Sequence, residues 1–193
     1  MSILIVNGSP KKGRNTDYLM ELAIEVLKRE ALEFEVIDIK TMRFEGCHNC
    51  GYCSKVGYCF QKDDLTPIYK KIDESDGTIV LSPVFFDGVP GKLKEMIDRT
   101  QAFYASKYIL KEPSIDRSKL RFGLLVSLAG ANPYETQFLG NKLSLEFYLR
   151  CTNTKLVEHL MFHSLDYGTI DENLDYIKSY IRAVENLVEK IKG

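Results

Sequence analysis

The sequence predicts an α/β fold: a doubly wound, five-stranded parallel sheet in the order 2-1-3-4-5, with helices on both faces. Short apolar runs alternate with amphipathic helical patterns along the whole chain, the signature of repeated strand–helix units. Three of the runs, 3–6, 78–81 and 122–126, are apolar on both faces, as strands buried in the middle of a parallel sheet must be. The other two are broken by charge, 34–39 by Glu35 and Asp38 and 155–162 by Lys155, Glu158 and His159, and this suits the two sheet edges. Right-handed crossovers then leave the stated strand order.

Helical periodicity marks 16–30, 65–74, 91–105, 134–150 and 170–192. In the first, Leu19, Leu22, Ala23, Val26 and Leu27 form one apolar stripe, and in the last Leu174, Ile177, Ile181, Val184, Leu187, Val188 and Ile191 form another. Each can cover a sheet face. No repeat, low-complexity tract or linker divides the chain, so one domain over 1–193 is expected. Ligands of such sheets bind beyond the carboxyl ends of the strands, which assigns the site to the loops after strands 1, 3 and 4.

Composition narrows the function. With 26 basic against 27 acidic residues the net charge is −1, so no sequence-wide footprint for nucleic acid or an anionic membrane exists. No apolar run approaches the roughly 20 residues that span a bilayer. Met1 and Ser2 lead directly into Ile3-Leu4-Ile5-Val6 and Gly8, with no export leader, and a cytoplasmic protein with reduced thiols is the expectation.

The loop from Asn7 to Thr16 joins the first strand to the first helix. Gly8 and Gly13 permit close backbone approach, the helix N-terminus points N–H groups at an anion, and Ser9, Lys11, Arg14, Asn15 and Thr16 supply further donors. Phosphate is the ligand these parts suit. The G-x-x-x-x-G spacing also occurs in nucleoside-triphosphate loops, but those place Lys and Ser/Thr directly after the second glycine, where Arg14 and Asn15 stand. A polar turn that merely caps the helix is the remaining alternative.

The run Gly8-Ser9-Pro10-Lys11-Lys12-Gly13-Arg14-Asn15-Thr16 resembles the FMN-phosphate loop of the NAD(P)H-dependent FMN reductase family, whose members are flavodoxin-like. Ser82-Pro83-Val84-Phe85-Phe86, followed by Gly91-Lys92-Leu93-Lys94 and Ile97-Asp98-Arg99, is similar to that family's second flavin loop and its helix. The resemblance implies FMN as cofactor, with Pro83, Val84, Phe85 and Phe86 along the isoalloxazine ring and Ser127 and Gly130 in a third loop at the flavin edge. Relatives commonly have tyrosine where Phe85 stands and paired glycines where only Gly130 remains. Core packing is the plain alternative for the two phenylalanines.

Four of the five cysteines fall within 13 residues as Cys47-x-x-Cys50-x-x-Cys53, then Cys59. Core packing would not concentrate thiols so tightly, whereas thiolates at two-residue gaps can wrap a metal centre. Zinc and a [4Fe–4S] cluster both accept four cysteines, and free redox thiols are a third possibility. The run with Gly57 and Asp63-Asp64 resembles the compact cysteine motif of iron–sulfur flavoproteins, a branch of the same family, which implies the cluster. Cys151 is expected to be a buried thiol, His48 a neighbour of the motif, His159 and His163 surface or packing residues, and Asp98-Arg99 a structural or interface pair.

The expected function is that of an FMN-dependent oxidoreductase relaying electrons between FMN and a [4Fe–4S] cluster. An NAD(P)H-dependent FMN or quinone reductase without a cluster is the second reading, and a zinc-stapled binding module the third. NAD(P)H or a ferredoxin-like carrier is the expected redox partner. A homodimer or homotetramer is expected from the aromatic content of 91–105 with Phe103, Tyr104 and Tyr108.

Overall fold

The computed structural model describes residues 1–193. Five strands, β1 (Ser2–Asn7), β2 (Glu33–Asp38), β3 (Gly77–Pro83), β4 (Arg121–Leu128) and β5 (Thr154–Phe162), pair in parallel in the order β2-β1-β3-β4-β5. The helices between them are α1 (Asn15–Arg29), α2 (Cys53–Val56), α3 (Thr66–Glu74), α4 (Gly91–Arg99), α5 (Gln101–Tyr108), α6 (Leu139–Cys151) and α7 (Leu174–Lys192).

Strand alternation divides the core in two. Ile3, Ile5, Ile79, Leu81, Leu124 and Val126 point to the face covered by α1 and α7. Leu4, Val6, Val80 and Leu125 point to the opposite face, under α3, α4 and α6. The three continuous apolar runs are therefore the three central strands. The charged strands β2 and β5 lie at the edges, as expected, and β5 pairs with β4 alone, with a register shift opposite Gly123 and Leu124. Leu156 and Val157, adjacent in the strand, pack against different cores while Lys155 and Glu158 stay in solvent.

The helices depart from their periodicity where side chains interfere with the backbone. The pattern over 91–105 is two helices rather than one, because buried Thr100 turns its Oγ1 onto Ile97 O at 2.6 Å and bends the chain between α4 and α5. Within α5, Phe103 is a core residue packed edge-on against Tyr69, so it is no part of an exposed aromatic surface; Tyr108 is. The segment 134–138 is a turn ahead of α6, held by buried Gln137, whose Nε2 donates to the carbonyls of Ala131 and Asn132 at 3.2 and 3.3 Å. Before α7 a short 3₁₀ turn, Ile170–Glu172, closes a capping box with Thr169, and Asn173 then caps α7 through Tyr176 N at 3.1 Å.

Beneath the strand ends runs a polar chain that the sequence did not announce. Asn141 of α6 donates through Nδ2 to Ser82 Oγ at 3.1 Å and to Ser127 Oγ at 3.2 Å, and Ser127 Oγ shares a 2.9 Å hydrogen bond with His159 Nε2. His159 is half-buried on β5, its Nδ1 has no partner, and burial with help from the Lys142 charge lowers its pKa to about 4. A base whose folded pKa lies below its unfolded value binds fewer protons when folded. Its stabilising contribution is thus present above pH 6.5 and lost as pH falls toward 4, on the order of 3 kcal/mol in all. Denaturant titrations at pH 7 and pH 4 should therefore show a smaller loss of stability in His159→Gln than in the native chain. Parallel pH profiles for the two proteins would contradict this assignment.

Candidate functional site

The loops after β1, β3 and β4 meet, and a cleft of about 490 Å³ opens between them. Ser9, Lys11, Arg14, Asn15, Thr16, Pro83, Val84, Phe85, Phe86 and Gly130 all line it. Ser127 does not. Its side chain is fully buried and spent on Asn141 and His159, so it supports the third loop from below. Gln137, Tyr134 and Asp166 also line the cleft and had no signal in the sequence, since only the fold of 130–138 and the turn after β5 bring them there. Asp166 N donates to Gly130 O at 2.9 Å, and a Cβ on Gly130 would strike the Asp166 carboxylate.

The 8–16 loop is shaped by close packing and by one carboxylate. Gly8 donates to Leu81 O at 2.8 Å, and any Cβ there would collide with that backbone and with Leu93 of α4. Asp17 gathers Gly13 N at 2.6 Å, Asn7 Nδ2 at 2.5 Å and Lys40 Nζ at 2.9 Å. Burial opposes the Asp17 charge, but these donors outweigh it and hold the carboxyl below its ordinary range. Ser9 is buried, with its hydroxyl bonded to Lys11 N and O, and Asn15 Oδ1 accepts from Ile170 N at 3.3 Å. Both therefore brace the loop.

The head of α1 is left without a side-chain cap. Arg14 makes no side-chain cap, and Thr16 Oγ1 is buried without a hydrogen-bond partner. A helix N-terminus left uncapped beside an orphaned hydroxyl, with the exposed side chains of Lys11 and Arg14 nearby, has the donor set of a phosphate site.

The cysteine loop, 43–65, follows β2 and is nearly devoid of regular structure. Its two ends are zipped by Arg43 N to Asp64 Oδ2 at 2.7 Å and Asp64 N to Arg43 O at 3.3 Å. Asn49 and Gly51 have φ of 51° and 72°, Cys47 Sγ accepts from Asn49 N at 3.4 Å, and Gly57 at φ 80° ends the single turn of α2. This curl turns Cys47, Cys50, Cys53 and Cys59 onto one small pocket with Arg99, Gln101 and Ala102. All are free thiols, and no three of them converge about one point as ligands of a single ion. They do sense one another: burial first, then the charges of Cys47, Cys59 and Cys50, push the Cys53 thiol up. Cys151 is buried elsewhere, and His48 bonds Glu45 at 3.1 Å.

One part of the cleft is strained. Phe85 and Gly88 exchange backbone hydrogen bonds of 2.8 and 3.0 Å across a two-residue turn, and both central residues, Phe86 and Asp87, are left-handed with φ of 48° and 59°. Such turns favour Asn and Gly, and a bulky residue there costs about 1–2 kcal/mol. The turn is held by the Tyr134 hydroxyl, which donates to Asp87 Oδ1, and by α6, where Gly140 leaves no room for a Cβ against Asp87 O. Phe86 is consequently presented wholly to solvent at the cleft mouth. Phe86→Asn is expected to raise stability to denaturant by about 1 kcal/mol, the relief of that strain. A destabilised variant would show that the Phe86 ring has packing the turn geometry conceals.

Comparison with known proteins agrees with this geometry. The family model for NADPH-dependent FMN reductase matches residues 1–130. An iron-sulfur flavoprotein of Archaeoglobus fulgidus is 37% identical over 111 residues, 58% of this chain and 54% of that protein. One of Methanosarcina thermophila is 33% identical over 111 residues, 58% of each. The match thus spans little more than half the length of these relatives. Among solved structures, an NAD(P)H:quinone oxidoreductase from Methanothermobacter marburgensis superposes with a TM-score of 0.76 at 19% identity, covering 97% of this chain and 98% of the other, a likeness of fold. With its matching family model, its parallel sheet and its three loops around one cleft, this chain belongs to the NADPH-dependent FMN reductase family.

Proposed function

We propose that the chain, as one FMN-binding domain over 1–193, is an FMN-dependent oxidoreductase whose cysteine loop holds a [4Fe–4S] cluster for exchange of electrons with the flavin. The observation that carries the flavin reading is the uncapped head of α1 with the orphaned, buried Thr16 hydroxyl, set in a cleft closed by the second and third loops. Lys11, Arg14 and Thr16 with the first N–H groups of α1 would hold the phosphate, Ser9 and Asn15 would keep that loop in shape, and Pro83 to Phe86 and Gly130 would flank the ring. Bound there, FMN supplies both two-electron and one-electron chemistry. The protein contributes orientation and a surface partly closed to water.

Cys47, Cys50, Cys53 and Cys59 are the ligand set for the cluster, which supplies one-electron transfer. Two observations support them in that role: all four face one pocket, and the relatives are named iron-sulfur flavoproteins. That no three thiols converge about one point favours the second reading, an NAD(P)H-dependent FMN or quinone reductase with free cysteines. The electron partner in either case would be NAD(P)H or a ferredoxin-like carrier. No helix is long and apolar enough to cross a membrane, and a cytoplasmic homodimer or homotetramer is part of the proposal.

The flavin assignment is tested by Thr16→Val, which removes the hydroxyl and keeps the shape. Because that oxygen has no protein partner, stability should hold while FMN affinity falls, by the roughly 1.5–3 kcal/mol of a hydrogen bond to a charged group. Undiminished affinity would remove Thr16 from the site. The cluster is tested by metal content and absorption of protein purified and reconstituted without oxygen. About four irons per chain beside the flavin bands are expected; flavin without iron would establish the simple reductase, and zinc without flavin the binding module.

A further inference from the structure

The cysteine loop encloses one cation that solvent does not reach. Arg99 ends α4, and its side chain is 1% exposed. Nη1 donates to Glu45 O at 2.8 Å on the arm before Cys47, and to Gln61 Oε1 at 3.0 Å and Asp63 Oδ2 at 2.7 Å on the arm after Cys59, while Nη2 reaches Asp63 Oδ1 at 3.3 Å. Those bonds account for a structural clamp. Two further observations point into the pocket. Arg99 lines the same pocket as the four cysteines, near enough for the Cys59 charge to act on it. Its Nε is buried with no hydrogen-bond partner, and a buried guanidinium donor seldom goes without an acceptor.

We propose that Arg99 is a positioning residue that sets the electrostatics of the cysteine site, its buried guanidinium offering the Nε donor to a sulfur of the group the thiolates bind and favouring that group's reduced state. The inference rests on the cluster reading above. Reduction adds negative charge, a cation fixed in a poorly screened site stabilises that charge, and hydrogen bonds to sulfur act in the same direction. Asp63 works against it. As the one carboxylate paired with Arg99, at 2.7 Å, it offsets part of the cation.

The two partners therefore make a test in which a clamp and an electrostatic role differ in sign. In anaerobically reconstituted full-length protein, Arg99→Gln should move the cluster midpoint potential to more negative values, by tenfold or more in the one-electron equilibrium, about 59 mV. Asp63→Asn, which keeps Oδ1 as an acceptor, should move it to more positive values. Iron content and FMN affinity, read in the same samples, should stay at the native level. A residue that only clamps the loop would give iron loss and shifts of one sign in both variants, and that result, or unshifted potentials, overturns the inference. Should Arg99→Gln fail to hold iron, Asp63→Asn decides alone: a positive shift supports the role, and none or a negative one refutes it. Native protein that takes up no iron overturns the cluster reading and this inference with it, whereas a native cluster with potentials indifferent to both substitutions overturns this inference only.

Discussion

Three strands that are apolar on both faces can be satisfied only by helices on both sides, and this requirement organises the rest of the molecule. Ile3 and Ile5 need α1 and α7, while Leu4 and Val6 need the opposite layer, so every connection between parallel strands has to cross over through a helix. The carboxyl ends of all five strands then lie along one edge of the sheet. Chain reversals that need no regular structure collect there, and the cleft forms at the point where β1 and β3 depart in opposite directions.

Helix α4 links the two places where chemistry is proposed. Near its start, Leu93 packs so tightly under Gly8 that the 8–16 loop cannot tolerate a side chain there. Lys92 reaches the carbonyl of Phe44 at the root of the cysteine loop, and at the far end Arg99 takes hold of both arms of that loop. Leu93 and Arg99 both lie on this one helix, so these anchor points are roughly 9 Å apart along its axis. One helix thus fixes the 8–16 loop and the cysteine loop relative to each other. The break at Thr100 frees α5 to turn away and pack on α2, with Gly57 against Ser106 and Leu110.

Strain and burial are spent unevenly. The cysteine loop lacks a core of its own and is held by one ion pair and by hydrogen bonds: the Arg99–Asp63 pair, the Asp64 contacts to the Arg43 backbone, and Gln61 bonded to Gly46 O at 3.0 Å. The second loop of the cleft is held by a forced turn, with Phe86 in a left-handed backbone region that does not suit a bulky side chain. Both devices place functional groups at the surface of a sheet whose interior is ordinary apolar packing.

By itself the sequence determined the layered fold, the central and edge strands, the place of the loop between β1 and α1 and the clustering of four cysteines, because each is written in local periodicity or spacing. Glu35 and Asp38 could not sit in the middle of the sheet. Contacts between segments far apart were decided only by the tertiary structure. Ser127 left the cleft because Asn141 and His159 claim its hydroxyl from two other elements. Phe103 went to the core because Tyr69 stands opposite it, and Asp166 came to Gly130 through a turn with no distinctive spacing. Most of all, nothing near Arg99 in the chain foretells that its guanidinium bridges Glu45 to Asp63, since a buried cation is assigned its partners by packing and not by periodicity.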